Sequence, residues 1–410
     1  NVIIWKDGTS GYENSPAVIL QGHIDMVAVK EEDCIKDMEK EGLDLEIQDG
    51  YLSAKQTSLG GDDGIAVAYS LALLASTDIP HPPLEAVFTV DEEIGMLGAA
   101  AIDLSDLNGK IMLNMDSEDE GIFLAGCAGG ASVRCDIPVT KGTEIICQRA
   151  NTNVLMGRIL MELNNEMSFF VTSISGGEKD NAIAKVGKLE LLIQPSDAQT
   201  FTETMEKITA TLKREYEVTD PDMQIVITED NEEKETLVYH PSCTMKLMLA
   251  LVHLPYGVVK MSNDIKGLVQ TSLNLGIIKE TQDCVRLCYS VRSSVGSEKE
   301  WLIEKLYSLT EFLGGSCTID GPYPAWEYKK DSKLREIICE VYEELYHEKP
   351  LIQTIHAGVE CGLFSEKIPG LDCISFGPNI LDIHTTNEHL DIASVERTWK
   401  LILEVLEKLK

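Results

Sequence analysis

PAVILQGHID, residues 16–25, sets the pattern of the chain: a short apolar run that closes on small and polar residues. Such a run reads as a buried strand delivering His23 and Asp25 at its carboxyl end. Moving outward, an acidic segment (30–50) precedes SLGGDDGIAVAYSLALLAS (58–76), a glycine-rich turn running into an apolar helix over 64–76. LEAVFTVDEEIGMLGAAAI (84–102) predicts a strand over 85–90, a loop and a helix near 96–102. KIMLNMDSEDEG (110–121) predicts a strand over 110–115 that ends at Asp116. Three strands interleaved with helices, each with polar residues at its carboxyl end, predict an α/β domain with a mostly parallel mixed sheet flanked by helices. In such sheets ligands gather at the carboxyl ends of the strands.

From about residue 130 the pattern changes. ASVRCDIPVT (131–140), KLELLIQPS (188–196), MQIVITED (223–230) and VRLCYSVRSS (285–294) read as longer or more alternating strands. Helical stretches near 151–164, 197–214, 242–252 and 298–313 separate them, which predicts an inserted α+β domain over 130–322 without a strict internal repeat. DSKLREIICEVYEELYH (331–347) then reads as an amphipathic helix, LDCISFGPNI (371–380) as a strand and SVERTWKLILEVLEKLK (394–410) as a terminal helix. The first pattern has returned. The expected organisation is one α/β domain in two pieces, 1–129 and 323–410, with the insert between them.

The bulk numbers agree with this layout. A chain of 410 residues is too long for one ordinary core. Its 44% hydrophobic and 25% charged residues are the balance of a soluble globular protein. No apolar run reaches the roughly 18 residues of a membrane span. The opening NVIIWKDGTS lacks the basic and then apolar pattern of a secretory leader, and it begins, without Met, in a strand-like run. A net charge of −33 and a pI near 4.5 argue against nucleic-acid binding, which needs a basic face. Eleven cysteines without C-x-x-C spacing, among them Cys135, Cys284, Cys288 and Cys373, are expected as free thiols in a reducing cytoplasm.

Catalytic zinc sites combine His nitrogens with carboxylate oxygens and leave one position open for water. Two metals about 3.5–4 Å apart need a bridging group. The candidates are His23 in GHID, Asp62 or Asp63 in GGDDG, Glu92 and Glu93 in DEEIG, Asp116 in NMDSED and His384 in DIHTTNE. Taken singly, each has an ordinary explanation. A His at a strand end is usually satisfied locally, an acidic pair before a helix usually caps it, and paired Glu residues at a turn are usually solvated. Order and placement are what set them apart, since each falls at a strand end or in the turn after one.

In that order, H-x-D, GGDDG, DEE-x-G, a strand-end Asp and a late His, the chain resembles the dinuclear zinc aminopeptidase and carboxypeptidase family that includes tripeptidases, carnosinases and aminoacylases. GHIDMV, TSLGGDDGIAVA, FTVDEEIGMLGA, LNMDSEDEG, IHAGVECGLF and ISFGPNI are most similar to its bacterial aminoacyl-histidine (Xaa-His) dipeptidase branch, over residues 16 to about 400. The resemblance implies a zinc-peptidase catalytic domain, two Zn2+ per chain (Co2+ or Mn2+ as substitutes) and an inserted lid that joins a homodimer. It implies Asp62 as the bridge, joined to Asp63 by a cis peptide, and His23 and Asp116 on one metal. Glu93 and His384 would hold the other, with Glu92 as general base. Asp25 would orient the His23 ring. Arg292 in YSVRSS would grip a substrate carboxylate, Asn181 in GGEKDNAIA would act from the lid, and Gly358 in HAGVECG would let the chain approach the substrate backbone.

The expected reaction is hydrolysis of a small peptide of the Xaa-His type, with neither nucleic acid nor membrane as partner. A tripeptidase, a broad dipeptidase or an N-acyl amino acid amidohydrolase would use the same metals, because leaving-group preference lives in the specificity pocket. A non-catalytic relative should have lost Glu92 or a ligand, and a phosphohydrolase should carry a phosphate loop; neither is the case. One departure stands out. The family's lid usually carries a GGHSG-like segment, whereas IPVTKGTEIICQRANTN (137–153) has no His near 142–143.

Overall fold

The computed structural model describes residues 1–138, 146–148, 151–229 and 237–410. They form two compact units, residues 1–129 with 323–410, and residues 130–322. The segment near 142–143 lies outside the described residues.

The first unit is built on a seven-stranded sheet. Its order is Val2–Lys6, Leu84–Thr89, Val18–His23, Ile111–Asn114, Asp372–Ser375, Ile122–Cys127 and Leu351–Ile355. Val18–His23 runs parallel to both of its neighbours, Leu84–Thr89 and Ile111–Asn114, and Asp372–Ser375 runs parallel to Ile111–Asn114. Val2–Lys6 at one edge is antiparallel, and so is the junction of Asp372–Ser375 with Ile122–Cys127. The sheet is mixed and mostly parallel.

Its central strands are buried on both faces, and the period of two sorts their side chains. Val18, Leu20, Ala86 and Leu113 join one apolar cluster with Leu73, Ile338 and Ile402 from the helices Gly61–Ala75, Lys333–Tyr346 and Ile392–Lys408. Ile19, Val87 and Met112 join a second cluster with Ala99 and Phe364 from the short helices Leu97–Ala101 and Cys361–Lys367. At about 1.5–3 kcal/mol per fully buried side chain, these two layers hold the strands in register. Their carboxyl ends are therefore a rigid platform.

The same unit holds a second, smaller sheet that the sequence does not announce; only its first strand falls within the acidic segment 30–50. Leu45–Gln48, Tyr51–Ala54, His389–Asp391 and Ile380–Leu381 pair antiparallel in four strands. These strands are only two to four residues long, too short to show a period.

The second unit is a nine-stranded sheet among the described residues. Its pairs, such as Phe170–Gly176 with Val186–Leu192 and Val269–Glu280 with Cys284–Ser293, are antiparallel. Burial alternates along Cys284–Ser293 and along Gly129–Pro138. Val285, Leu287, Tyr289 and Val291 thus point into one cluster with Leu155, Met205, Leu247 and Leu302 from the helices Thr152–Glu166, Ala198–Glu215, Pro241–His253 and Gly296–Phe312. The expected strand in MQIVITED shrinks to Gln224–Ile225, an edge pairing with 146–148, and residues 226–229 leave the sheet. An apolar run predicts a strand only where a partner lies alongside it. The described cysteines are free thiols. No described helix is long and apolar enough to cross a membrane.

Candidate metal centre

Val18–His23 is buried throughout and ends in His23, whose side chain is 1% exposed. The residue before it has to be glycine, because a Cβ on Gly22 would lie 2.5 Å from both the Ala66 methyl and an Asp63 carboxylate oxygen. That closeness lets the Asp63 carboxylate accept the His23 backbone N–H at 3.2 Å. Behind the ring, His23 Nδ1 faces the Asp25 carbonyl oxygen at 3.0 Å and the Asp25 carboxylate at 3.5 Å. Asp25 therefore orients the imidazole chiefly through its backbone, while its Oδ2 accepts the Glu93 N–H at 3.1 Å. With Nδ1 turned toward these oxygens, Nε2 points the other way, into the centre.

There it meets the glycine-rich turn. Asp62 and Asp63 depart from helical backbone angles, and the peptide between them is cis. The Asp62 carboxylate stands between two imidazoles, with Oδ1 3.1 Å from His23 Nε2 and Oδ2 3.1 Å from His384 Nε2. Asp116, just past the strand Ile111–Asn114, lies 3.7 Å from His23 Nε2. Glu93, in the turn after Leu84–Thr89, lies 3.2 Å from His384 Nε2. The two groups are thus His23 with Asp116 and His384 with Glu93, and Asp62 is shared between them. His23, Asp62 and Glu93 could hold a cation together, and so could His23, Asp63 and Asp116, each set having donor atoms within 4.8 Å of one another.

The electrostatics describe the same arrangement. Burial works against a charged His23 ring, yet hydrogen bonds from Asp116 and Asp62 and the charges of Asp116 and Asp63 outweigh it and raise its pKa well above the ordinary range. Burial, followed by the Asp116 charge, pushes the Glu92 carboxyl up to about 8. Glu93 is raised as well, by burial and then by Asp62, and its buried Oε1 has no hydrogen-bond partner. Crowded carboxylates whose ionisation burial and mutual repulsion disfavour, together with an orphaned buried oxygen, are what a divalent cation would stabilise. Two imidazole nitrogens with carboxylates is a donor set suited to zinc. The residues fit a dinuclear metal group.

The remaining expected residues are placed separately. Gly358 belongs to the first unit, where a Cβ would meet the Tyr323 ring at 2.7 Å and the Met96 methyl at 3.0 Å. Close packing against that ring is reason enough for glycine there. Arg292 lies on Cys284–Ser293 of the second unit, half-buried and opposite Ser272. Asn181 is exposed in the turn before Val186–Leu192. The Asn274 amide pins that turn by donating to the Asp180 and Ala182 carbonyls, both at 2.8 Å.

Two buried carboxylates escaped sequence reading. Glu388, 2% exposed, accepts backbone N–H groups from the turn that carries Asp62. Glu360, fully buried, accepts from the Gln21 amide and, at 2.6 Å, from the Thr89 hydroxyl, beneath the strand ends; burial pushes it up to about 7. Both sit inside motifs already singled out, DIHTTNE and HAGVECG. A long-range partner leaves no local signature, however.

Comparison with known proteins is consistent with this geometry. The model of peptidase family M20/M25/M40 matches residues 19–408. The cytosol non-specific dipeptidase of Escherichia coli (strain K12) is 31% identical over 431 aligned residues, covering 100% of this chain and 88% of that protein. The crystal structure of the aminoacylhistidine dipeptidase of Vibrio alginolyticus superposes with a TM-score of 0.92 at 33% identity, covering 100% of this chain and 87% of that one. The aminopeptidase PepT of Bacillus cereus shares the fold, with a TM-score of 0.61 at 16% identity over 99% of this chain and 84% of that one.

Proposed function

The chain belongs to peptidase family M20/M25/M40, and from that membership we propose that it is a dinuclear-zinc dipeptidase acting on Xaa-His and related dipeptides. One observation carries the reading: the two oxygens of Asp62 each reach a different imidazole at 3.1 Å, the geometry of a bridging carboxylate. His23 and Asp116 would hold one ion, Glu93 and His384 the other, and Asp62 both. Zinc bound there would acidify a water and draw electron density from the scissile carbonyl.

The rest of the work falls to the chain. Glu92, with a carboxyl held near neutrality by burial and by Asp116, is suited to take a proton from the attacking water and return it to the leaving nitrogen. Asp25 and the Glu93 amide tie two ligand segments together, so the donors are ordered before substrate arrives. Arg292 is assigned to the substrate carboxylate for its forked, permanently charged guanidinium. Asn181 and Gly358 are assigned to substrate binding on the resemblance alone, at Gly358 in addition to its packing on the Tyr323 ring. The dipeptidase names of the Escherichia coli and Vibrio alginolyticus proteins support this substrate class. The name of the Escherichia coli protein also favours a cytoplasmic enzyme, and the resemblance favours a homodimer joined through residues 130–322.

The test is a panel of X-His, X-Ala and X-Gly dipeptides, a tripeptide and an N-acetyl amino acid, on zinc-reconstituted protein with metal quantified. Fastest turnover is expected on a dipeptide at two zincs per chain. Loss of all dipeptide hydrolysis at that stoichiometry would refute the proposal.

A further inference from the structure

His23 and His384 are held in different ways. His23 ends a strand buried on both faces, whereas His384 sits on the turn between Ile380–Leu381 and His389–Asp391, at a left-handed φ of 61° and with its side chain 44% exposed. No regular element fixes it. That turn is wound tightly: the Thr385 hydroxyl donates to the Asp382 carbonyl at 2.7 Å and accepts the Asn387 N–H at 3.1 Å. Glu388 then closes it, with its own N–H on the Thr385 carbonyl at 3.3 Å.

The Glu388 side chain reaches across 326 residues of sequence to the glycine-rich turn. Its Oε2 accepts the N–H groups of Leu59 at 2.9 Å and Gly60 at 3.0 Å. Its Oε1 accepts those of Gly61 at 2.7 Å and Asp62 at 3.4 Å. Gly60 is left-handed at φ 67°, which turns successive amides toward one point. These are the orphan donors at the start of the helix Gly61–Ala75, and no side chain of the turn itself caps them. A buried carboxylate with several N–H donors is a strong, directional contact.

We propose that Glu388 is a positioning residue: it clasps the turn bearing His384 to the turn bearing Asp62 and so sets the separation of the ligands that build the second metal position. The inference rests on the dinuclear reading above. Asp62, Glu93 and His384 form that position, and the clasp spans two of the three. The His23 and Asp116 position shares Asp62 but takes its other two ligands from strand ends anchored by the sheet. Loss of the clasp should therefore loosen the second metal much more than the first.

The experiment uses the full-length chain, measures zinc affinity by chelator competition and records the melting temperature of the metal-free protein. Glu388→Gln keeps the shape and removes the charge, while Glu388→Asp keeps the charge and shortens the reach. The expected result is one tight zinc per chain and a second weakened by about 10–100-fold, the usual size when a ligand-orienting group is lost. The metal-free melt should fall as well, because a buried charged contact is lost, and kcat should fall further than KM rises. Glu388→Asp should lie between Glu388→Gln and the parent.

A merely structural role would lower the metal-free melt and leave both affinities intact in the folded fraction; that result overturns the proposal. So does failure of both variants to fold, or two zincs held with parental affinity in either. If the parent chain itself holds fewer than two zincs, the dinuclear reading fails first, which separates the two claims.

Discussion

The two units use similar amounts of sheet and helix to opposite ends. In residues 1–129 with 323–410, strands run mostly parallel, so His23, Glu93 and Asp116 leave neighbouring strands at the same edge and converge. In residues 130–322 the strands alternate in direction, and successive strand ends fall on opposite edges. Charged groups there pair off locally instead, as Arg286 does with Asp136 at 2.7 and 2.8 Å. The first unit buries carboxylates such as Asp63, Glu360 and Glu388 around its strand ends, whereas the second buries one apolar cluster under four helices. A parallel sheet gathers chemistry at one edge, and an antiparallel one gathers packing.

Substitutions should break this contrast in order of size. Glu92→Gln in the first unit is expected to cost kcat about 10²–10⁴-fold while both metals stay bound, read by single-substrate kinetics with metal analysis. Near-normal turnover would remove Glu92 from the mechanism. Leu287→Ala in the second unit, at a fully buried site, is expected to cost about 2–5 kcal/mol of stability in denaturant titration. Zinc affinity of the folded protein should not change, and a loss of it would show that the division of labour is too sharp. Arg292→Ala should raise KM by at least about tenfold and move kcat less, as expected for a lost charged hydrogen bond. An equal fall in kcat would argue for a role at the reacting bond.

The smallest effect is the dependence on pH. In the metal-free chain burial raises Glu92 to about 8, and Glu118 and Glu360 to about 7, all above their ordinary carboxylate range. The folded state therefore binds more protons than the unfolded one between roughly pH 4.5 and 8, so stability falls as pH rises through that window. The metal-free melting temperature should be lower at pH 8 than at pH 6. Zinc should raise it more at pH 8, because cation binding displaces those protons. A pH-independent melt would mean that the carboxylates are not crowded as described.

Legibility followed the same division. The strand ends at His23 and Asp116 and the turn at DEEIG could be read because a buried strand is long enough to show itself in local composition. The small sheet of Leu45–Gln48, Tyr51–Ala54, Ile380–Leu381 and His389–Asp391 could not, because each strand is too short to carry a period and the pairing that joins its two halves, His389–Asp391 with Tyr51–Ala54, links segments more than 300 residues apart. Gly358 could be read as special, but the structure accounts for it by the Tyr323 ring packed against it.

By itself, then, the sequence determined the family, the α/β grammar and the identity of the groups crowded at one edge of the sheet, since strand ends and ordered motifs are local facts. The resemblance implied Asp62 as the bridge; tertiary structure alone decided that Asp25 reaches His23 mainly through its carbonyl and that Glu388 fastens one ligand turn to the other. Those are relations between distant segments, and burial in a shared core is what brings them within hydrogen-bonding distance.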